Sequence, residues 1–292
     1  MPTLRQLRYL TALAEERHFG RAAAACNITQ PALSMQIRDL EAELDLVLVE
    51  RGRGGVALTD DGRALAERAR ALTAGVKDLE DFARERRGVR SRRLALGLIP
   101  TVAPYLLPRI LPLLQDAIPD LDLKIRETRT ALLMAELAAG DLDAVIAALP
   151  LHAEGVEVET LFEDPFLLAS PADAPLAAVD PRALPGERLL LLEEGHCLRD
   201  QALGVCELSD LSTFGATSLT TLLQLVAHGQ GVTLLPRMAA GDLADPRIAL
   251  RRFPAPEPSR TIAMAWRSAS PRRKQLKELA ARIRAEGPAA QS

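Results

Sequence analysis

The chain has 292 residues, 48% hydrophobic and 26% charged; that is long for one domain and apolar enough for two or three packed cores, so a disordered protein is excluded. No run of about 18 uncharged apolar residues is present, and Arg5, Arg8, Glu15 and Glu16 interrupt the start, so neither a membrane span nor a secretory signal is expected. The net charge of −3 is unevenly spread, 17 basic against 14 acidic side chains in residues 1–93 and 19 against 25 beyond, and three cysteines are too few for a disulfide scaffold, which points to the reducing cytoplasm.

Leu4, Leu7, Leu10 and Ala14 recur at helical spacing and predict a first helix from about Leu4 to Glu16. Gly20 to Cys26 makes a second, broken at Asn27-Ile28-Thr29. Thr29 then caps a third helix with Pro31 in its first turn, running to about Leu44 with Leu33, Ile37, Leu40 and Leu44 inward. Its other face carries Gln30, Ser34, Gln36 and Arg38, whose amides, hydroxyl and guanidinium suit base edges and phosphates in a major groove. Residues 46–51 and 55–58 read as two strands joined by a glycine-rich turn, a wing that places Arg51 and Arg53 for the phosphate backbone. A small helical domain with a solvated polar face fits the same periodicity.

The run Ala22-Ala23, Thr29-Gln30-Pro31-Ala32-Leu33-Ser34-Met35-Gln36-Ile37, Leu40-Glu41, Leu44, Leu48 and Arg51, followed by Thr59 and Gly62, resembles the winged helix-turn-helix of LysR-type transcriptional regulators. The resemblance spans nearly all of residues 1–65. It implies that Gln30, Pro31, Ala32, Ser34, Gln36, Arg38, Arg51 and Arg53 contact double-stranded DNA. From Thr59 to about Gly88 no proline intervenes, and Leu65, Ala69, Leu72, Val76 and Leu79 form an a/d seam that predicts pairing with a second copy. Two recognition helices in a dimer imply a two-fold-related operator. Arg84, Arg86, Arg87, Arg90, Arg92 and Arg93 read as a solvated hinge.

From Leu94 onward apolar strands alternate with helices. Residues 94–99, 121–127 and 142–149 read as strands and 104–117 and 131–139 as helices, a βαβαβ order that predicts a parallel sheet covered on both faces. Strands at 166–169, 188–192, 232–235 and 261–266 and helices at 219–228 and 272–285 complete a second set. The expected fold class is α/β with an all-α, winged N-terminal part: a winged helix-turn-helix over 1–58, a linker helix over 59–92, and a two-lobed effector domain of periplasmic-binding-protein type over 93–292. Its lobes are expected at 93–164 with 268–292, and at 165–267. Ligands in such sheets settle beyond the C-terminal strand ends, where Thr101 and Thr130 follow the first two strands; each also suits a helix N-cap. No phosphate loop, HExxH or paired-cysteine zinc spacing occurs, and His18, His152, His196 and His228 are scattered, so neither a metal nor a cofactor is expected.

One segment, Glu193-Glu194-Gly195-His196-Cys197-Leu198-Arg199-Asp200-Gln201-Ala202-Leu203-Gly204-Val205-Cys206, carries distinctive chemistry. His196 and Arg199 favour a thiolate at Cys197; Glu193, Glu194 and Asp200 oppose it. A peroxide would turn that thiolate into a sulfenic acid, for which Cys206 is the candidate resolving thiol. On a helix the two Cα atoms would lie about 13.5 Å apart along the axis, on opposite faces. A disulfide needs them within about 7 Å. Two unrelated buried cysteines fit the same residues, and Cys26 reads as a packed thiol of the first domain.

Gly195 to Ala202 with Cys206, together with Leu98-Ile99-Pro100-Thr101-Val102, Tyr105-Leu106-Leu107-Pro108, Ala216-Thr217-Ser218-Leu219 and Thr233-Leu234-Leu235-Pro236, resemble the peroxide-sensing members of the LysR-type family. That resemblance implies a hydrogen-peroxide-sensing regulator, mostly an activator and not an enzyme, in which Cys197 is the peroxidatic thiol and pairs with Cys206. It implies that Thr101, Thr130, His196 and Asp200 position the peroxide, and that Arg199 and Arg267 support Cys197. The implied partners are hydrogen peroxide, RNA polymerase, thiol reductants of glutaredoxin or thioredoxin type, and other copies of the chain as a dimer of dimers. The stretch between Cys206 and Ala216 is shorter than that pattern, and Gly215 and Thr220 stand where charged side chains are expected. The competing readings are a LysR-type regulator whose cleft takes a small organic effector and, last, a thiol peroxidase.

Overall fold

The computed structural model describes residues 1–52, 55–86, 92–118, 120–151, 153–173, 180–184, 189–208, 215–241 and 245–286. The chain divides into two compact units, Met1–Ser91 with Ala138–Asp141, and Arg92–Leu137 with Leu142–Ser292.

In the first unit, α1 (Leu4–Glu16) opens with a capping box in which the Thr3 hydroxyl accepts from Gln6 N and the Gln6 side chain accepts from Thr3 N. The short α2 (Phe19–Ala25) is capped by His18, whose Nδ1 accepts from the backbone of Gly20 and Arg21. Thr29 caps α3 (Gln30–Leu44), and Pro31 occupies its first turn, where an N–H would have no helical partner. Leu10, Leu13, Leu33, Ile37 and Leu40 are fully buried between these helices. The wing is the antiparallel pair β1 (Val49–Gly52) and β2 (Gly55–Leu58), tied to α3 because Glu41 Oε1 accepts from both Leu48 N and Val49 N at 2.9 and 3.1 Å. The long α4 (Asp60–Arg86) begins where the Thr59 hydroxyl accepts from Gly62 N. Only glycine fits at position 62: a Cβ there would lie 2.1 Å from the Leu48 carbonyl oxygen.

The a/d positions of α4 have two fates. Ala69 is buried and Leu65 half-buried within their own unit, whereas Leu72 and Leu79 are 58% and 67% exposed, with Phe82 beside them at 47%. Arg86 lies over the Phe82 ring at 5.2 Å.

The second unit begins with β3 (Arg93–Leu98), α5 (Ala103–Ala117), β4 (Asp122–Glu127), α6 (Thr130–Ala138) and β5 (Ala144–Ala148). β3 pairs in parallel with β4 and β5. A sixteen-residue strand, β6 (Val156–Pro171), follows, then β7 (Leu191–Leu192), α7 (Cys197–Val205), β8 (Gly215–Ala216), α8 (Leu219–Ala227), β9 (Thr233–Pro236), α9 (Arg237–Ala240), β10 (Ile248–Arg252), β11 (Ser259–Arg267) and α10 (Arg273–Glu286). β6 and β11 are long because each serves more than one neighbour. β11 runs antiparallel to both β5 and β6, while the end of β6, from Phe166, pairs with β9 and β10. Two cores result. One packs β3, β5, β11, α5 and α10 around Trp266; the other packs the end of β6 with β9, α7 and α8 around Phe166.

This order departs from the expected sheet in three ways. The sheet is mixed rather than parallel, because β11 and β6 enter it antiparallel. β11 was expected in the second lobe, but its apolar run Ile262–Trp266 pairs with β5 and fills the first lobe's core. The first half of β6 was unforeseen, although Val156, Glu157, Val158, Glu159 and Thr160 alternate with the period of two that marks a half-buried strand.

Candidate functional site at the start of α7

Three loops meet at Cys197. The turn after β3 brings Thr101, the start of α6 brings Arg129 and Thr130, and the start of α7 brings Gly195, His196 and Cys197; with Ile99 and Pro100 these line one small pocket. Both threonines arrive from the C-terminal ends of parallel strands, as an open α/β sheet requires. The space left for the centre of a water-sized molecule is about 10 Å³, room for roughly one such molecule.

The sequence expectations divide here. Thr101, Thr130, His196 and Cys197 come together in the pocket wall, and Asp200, in the first turn of α7, is close enough to disfavour a charge on Cys197. Arg199 and Arg267 were assigned to Cys197, but the guanidinium acting on that thiol belongs to Arg260. The side chain of Arg199 turns inward to the Leu192 carbonyl, and that of Arg267 donates to the carbonyls of Leu137 and Leu142 at 2.8 and 3.0 Å. An arginine in an apolar strand was the available signal for Arg260, since a buried cation demands partners.

Those partners are present. The side chain of Arg260 is wholly buried; Nε donates to Asp164 Oδ2 at 3.0 Å, Nη1 to Thr101 Oγ1 at 2.9 Å and Nη2 to the Thr101 carbonyl at 3.0 Å. Asp164 spends its other oxygen on Met238 N at 2.9 Å. Because Thr101 Oγ1 accepts from Arg260, its own hydrogen is left to donate into the pocket. Thr130 Oγ1 is buried, bonded to no nitrogen or oxygen, and close enough to the Cys197 sulfur to favour its thiolate. Two hydroxyls are thus set beside one sulfur in a space that admits one small polar molecule.

Burial pushes the Cys197 thiol up, against the opposing pull of Arg260, the Thr130 hydroxyl and the Leu198 N–H; the nearby Asp200 adds to the rise. The resting group is therefore the thiol. Burial and the adjacent Arg129 hold His196 below its ordinary value, so its imidazole is neutral near pH 7. Cys206 caps the far end of α7, 3% exposed in the second core, and burial pushes its thiol up to about 11. Both thiols are reduced, at opposite ends of an intact helix.

In the first unit, Gln30, Pro31 and Arg38 are exposed on α3, Ala32, Ser34 and Gln36 are half-exposed, and Arg38 donates to Ser34 Oγ one turn back. The side chain of Arg51, and Arg53 altogether, lie outside the described residues. Among the described residues no cluster of metal-ligating side chains occurs, and no helix is long and apolar enough to cross a membrane.

Residues 4–63 match the bacterial regulatory helix-turn-helix protein family of LysR type, and residues 87–288 match the LysR substrate binding domain. The DNA-binding transcriptional dual regulator OxyR of Escherichia coli K12 is 45% identical over 290 residues, which covers 97% of this chain and 95% of that protein. The hydrogen peroxide-inducible genes activator of Dickeya chrysanthemi is 44% identical, covering 96% and 94%. A full-length OxyR variant from Pseudomonas aeruginosa superimposes with a TM-score of 0.79 at 38% identity, covering 97% of this chain and 94% of that one. An H2O2-bound OxyR mutant of Corynebacterium glutamicum gives 0.64 at 33% identity, covering 98% and 92%. With both family matches and 45% identity over nearly the whole chain, the chain belongs to the OxyR group of the LysR family of transcriptional regulators.

Proposed function

We propose that the chain is a DNA-binding transcriptional regulator of oxidative-stress genes, switched by hydrogen peroxide through Cys197 and Cys206. The observation that carries this reading is the size of the space beside Cys197. Pockets for organic ligands span about 300–1,000 Å³ and are mostly apolar. This one has room for roughly one water-sized molecule, beside a sulfur and two hydroxyls. At Cys197 itself, that space suits peroxide and does not admit an organic effector.

The chemistry runs in two steps. The Cys197 thiol loses its proton, the thiolate attacks one peroxide oxygen, the O–O bond breaks, and the departing hydroxide takes a proton to leave as water. Thr101 and Thr130 are placed to donate to the peroxide oxygens, and Arg260 favours the thiolate. The sulfenic acid then meets the Cys206 thiol, an S–S bond forms, and a second water leaves. Two thiols and one peroxide give a disulfide and two waters. The second step cannot occur on α7 as it stands, because the nine-residue spacing holds the Cα atoms about 13.5 Å apart along the axis. Oxidation therefore requires α7 to unwind and Cys206 to leave its core. That rearrangement is the switch.

The remaining parts fit a regulator. The exposed face of α3 supplies Gln30, Ser34, Gln36 and Arg38 to the major groove, with Arg51 and Arg53 on the backbone. Leu72, Leu79 and Phe82 form an uncovered apolar strip suited to a second copy of α4. We infer a cytoplasmic dimer of dimers on a two-fold-related operator, contact with RNA polymerase, and resetting of the disulfide by thiol reductants of glutaredoxin or thioredoxin type.

The test is mass spectrometry with DNA footprinting. Equimolar hydrogen peroxide should crosslink Cys197 to Cys206 within minutes and alter the footprint, and Cys197→Ser should do neither. A chain that keeps both thiols free and changes its footprint only with a metabolite overturns the reading.

A further inference from the structure

The pocket beside Cys197 has one charged wall. Ile99, Thr101 and His196 are buried, and Pro100, Thr130 and Cys197 are half-buried. Arg129 differs, with a side chain 44% exposed, so it stands where the pocket meets solvent. It lies against Gly195, where a Cβ would come within 3.2 Å of its Cδ and Nη1. Gly195, at φ +85°, thus supplies both the turn into α7 and the flat surface on which the arginine rests. On the other side Arg129 Nη2 is 3.6 Å from a carboxylate oxygen of Glu193.

We propose that Arg129, seated on Gly195 and held by Glu193, determines which hydroperoxides reach Cys197: it admits hydrogen peroxide and rejects hydroperoxides carrying an alkyl group. This rests on the peroxide-sensing reading above. Two physical terms act together. An alkyl group on the distal oxygen exceeds a space scaled to about one water-sized molecule, so the guanidinium would have to swing away. In doing so it would lose the Glu193 ion pair and leave a charge against hydrocarbon, an unfavourable exchange of solvation. Hydrogen peroxide is small, and its oxygens can accept from the guanidinium N–H groups as it passes. The reaction is otherwise the same for both: the sulfur–oxygen bond forms, the O–O bond breaks, and the leaving alkoxide or hydroxide takes a proton to depart as alcohol or water.

The experiment measures Cys197 thiol loss in the full-length reduced chain by alkylation and mass spectrometry, with hydrogen peroxide and with tert-butyl hydroperoxide. The readout is the ratio of the two second-order rate constants, because a change in the reactivity of the Cys197 thiol alone alters both rates alike and leaves the ratio unmoved. The wild-type ratio should be at least about 100 in favour of hydrogen peroxide, and Arg129→Ala should lower it at least about tenfold, the scale on which a binding site discriminates added alkyl bulk. Glu193→Gln, which releases the arginine without shortening it, should lower the ratio in the same direction by less. A wild-type ratio near one, or an unchanged ratio in both variants while hydrogen peroxide still oxidises Cys197, overturns the filter alone. A wild-type Cys197 inert to hydrogen peroxide overturns the sensing reading itself, and the filter with it.

Discussion

If forming the disulfide requires α7 to unwind, a substitution that strengthens only the helix must make the disulfide harder to form. Gly204 permits this test. It sits in the last turn of α7, and a methyl group added there meets no atom within 4 Å. Glycine within a helix costs roughly 0.5–1 kcal/mol relative to alanine, so Gly204→Ala should stabilise the dithiol form by about that much. In a crosslinked loop without the helix the gain is absent, and the whole difference falls on the thiol–disulfide equilibrium. For a two-electron couple it amounts to a midpoint about 10–20 mV less negative, or a two- to fivefold shift against a glutathione buffer. The assay equilibrates the full chain in a series of glutathione buffers, quenches with acid, and counts free thiols at Cys197 and Cys206. Thermal unfolding of the reduced protein provides the internal check, since its midpoint must rise. A reduced form that gains stability while the redox midpoint stays fixed would mean that α7 survives oxidation, and the argument from spacing would fail.

Four further outcomes are expected. Arg260→Met leaves Asp164 buried without its cation, so urea unfolding should show a loss of about 3–5 kcal/mol and the peroxide reaction of Cys197 should slow. The Cys206 thiol, raised in the fold to about 11 from an ordinary value near 9.0, contributes stability that is fully present below about pH 9 and lost as the pH climbs through 11. The loss is about 2–3 kcal/mol; Cys206→Ala should remove that slope from alkaline urea titrations of the reduced protein. Leu72→Glu places a charge in the exposed strip of α4; sedimentation should show smaller oligomers, and operator affinity should fall at least about a hundredfold as the two half-sites uncouple. Gln30→Ala should relax base preference at one operator position by about 1–3 kcal/mol, whereas Arg53→Ala should weaken all sequences alike and reduce the salt slope by about one. Selection from a randomised operator library separates the two; an unaltered motif with Gln30→Ala would remove α3 from the groove.

Local rules made much of this chain legible. Helix spacing, the Thr29 cap and Pro31 located α3, because those signals lie within a few residues of what they specify. Strand order brought Thr101 and Thr130 to the same end of the sheet but left each equally suited to a helix N-cap; only the family resemblance pointed to the pocket. What escaped was set by distant pairing. The signal of an arginine in an apolar strand marks Arg260 and Arg267 alike, since they bound the same run in β11, and nothing local chooses between them. What separates them is Asp164, 96 positions away, which sits opposite Arg260 in the β6–β11 register. The lobe assignment of β11 failed for the same reason: whether an apolar strand joins β5 or β9 is decided by tertiary packing, and the run Ile262–Trp266 carries no local mark of the partner it takes.

The distance between the two sulfurs also sets an order of events. On the proposed reading, a peroxide molecule is consumed while every element of the fold keeps its place, because Cys197 meets it in a finished pocket and Cys206 takes no part until the helix gives way. For that interval the protein has registered an oxidant without announcing it. A second peroxide arriving before the helix opens would carry the sulfur on to sulfinic acid, which the opposite cysteine cannot rescue. The rate at which nine residues unravel is therefore the sensor's shutter speed: a trickle is recorded and erased, and a flood overexposes the film.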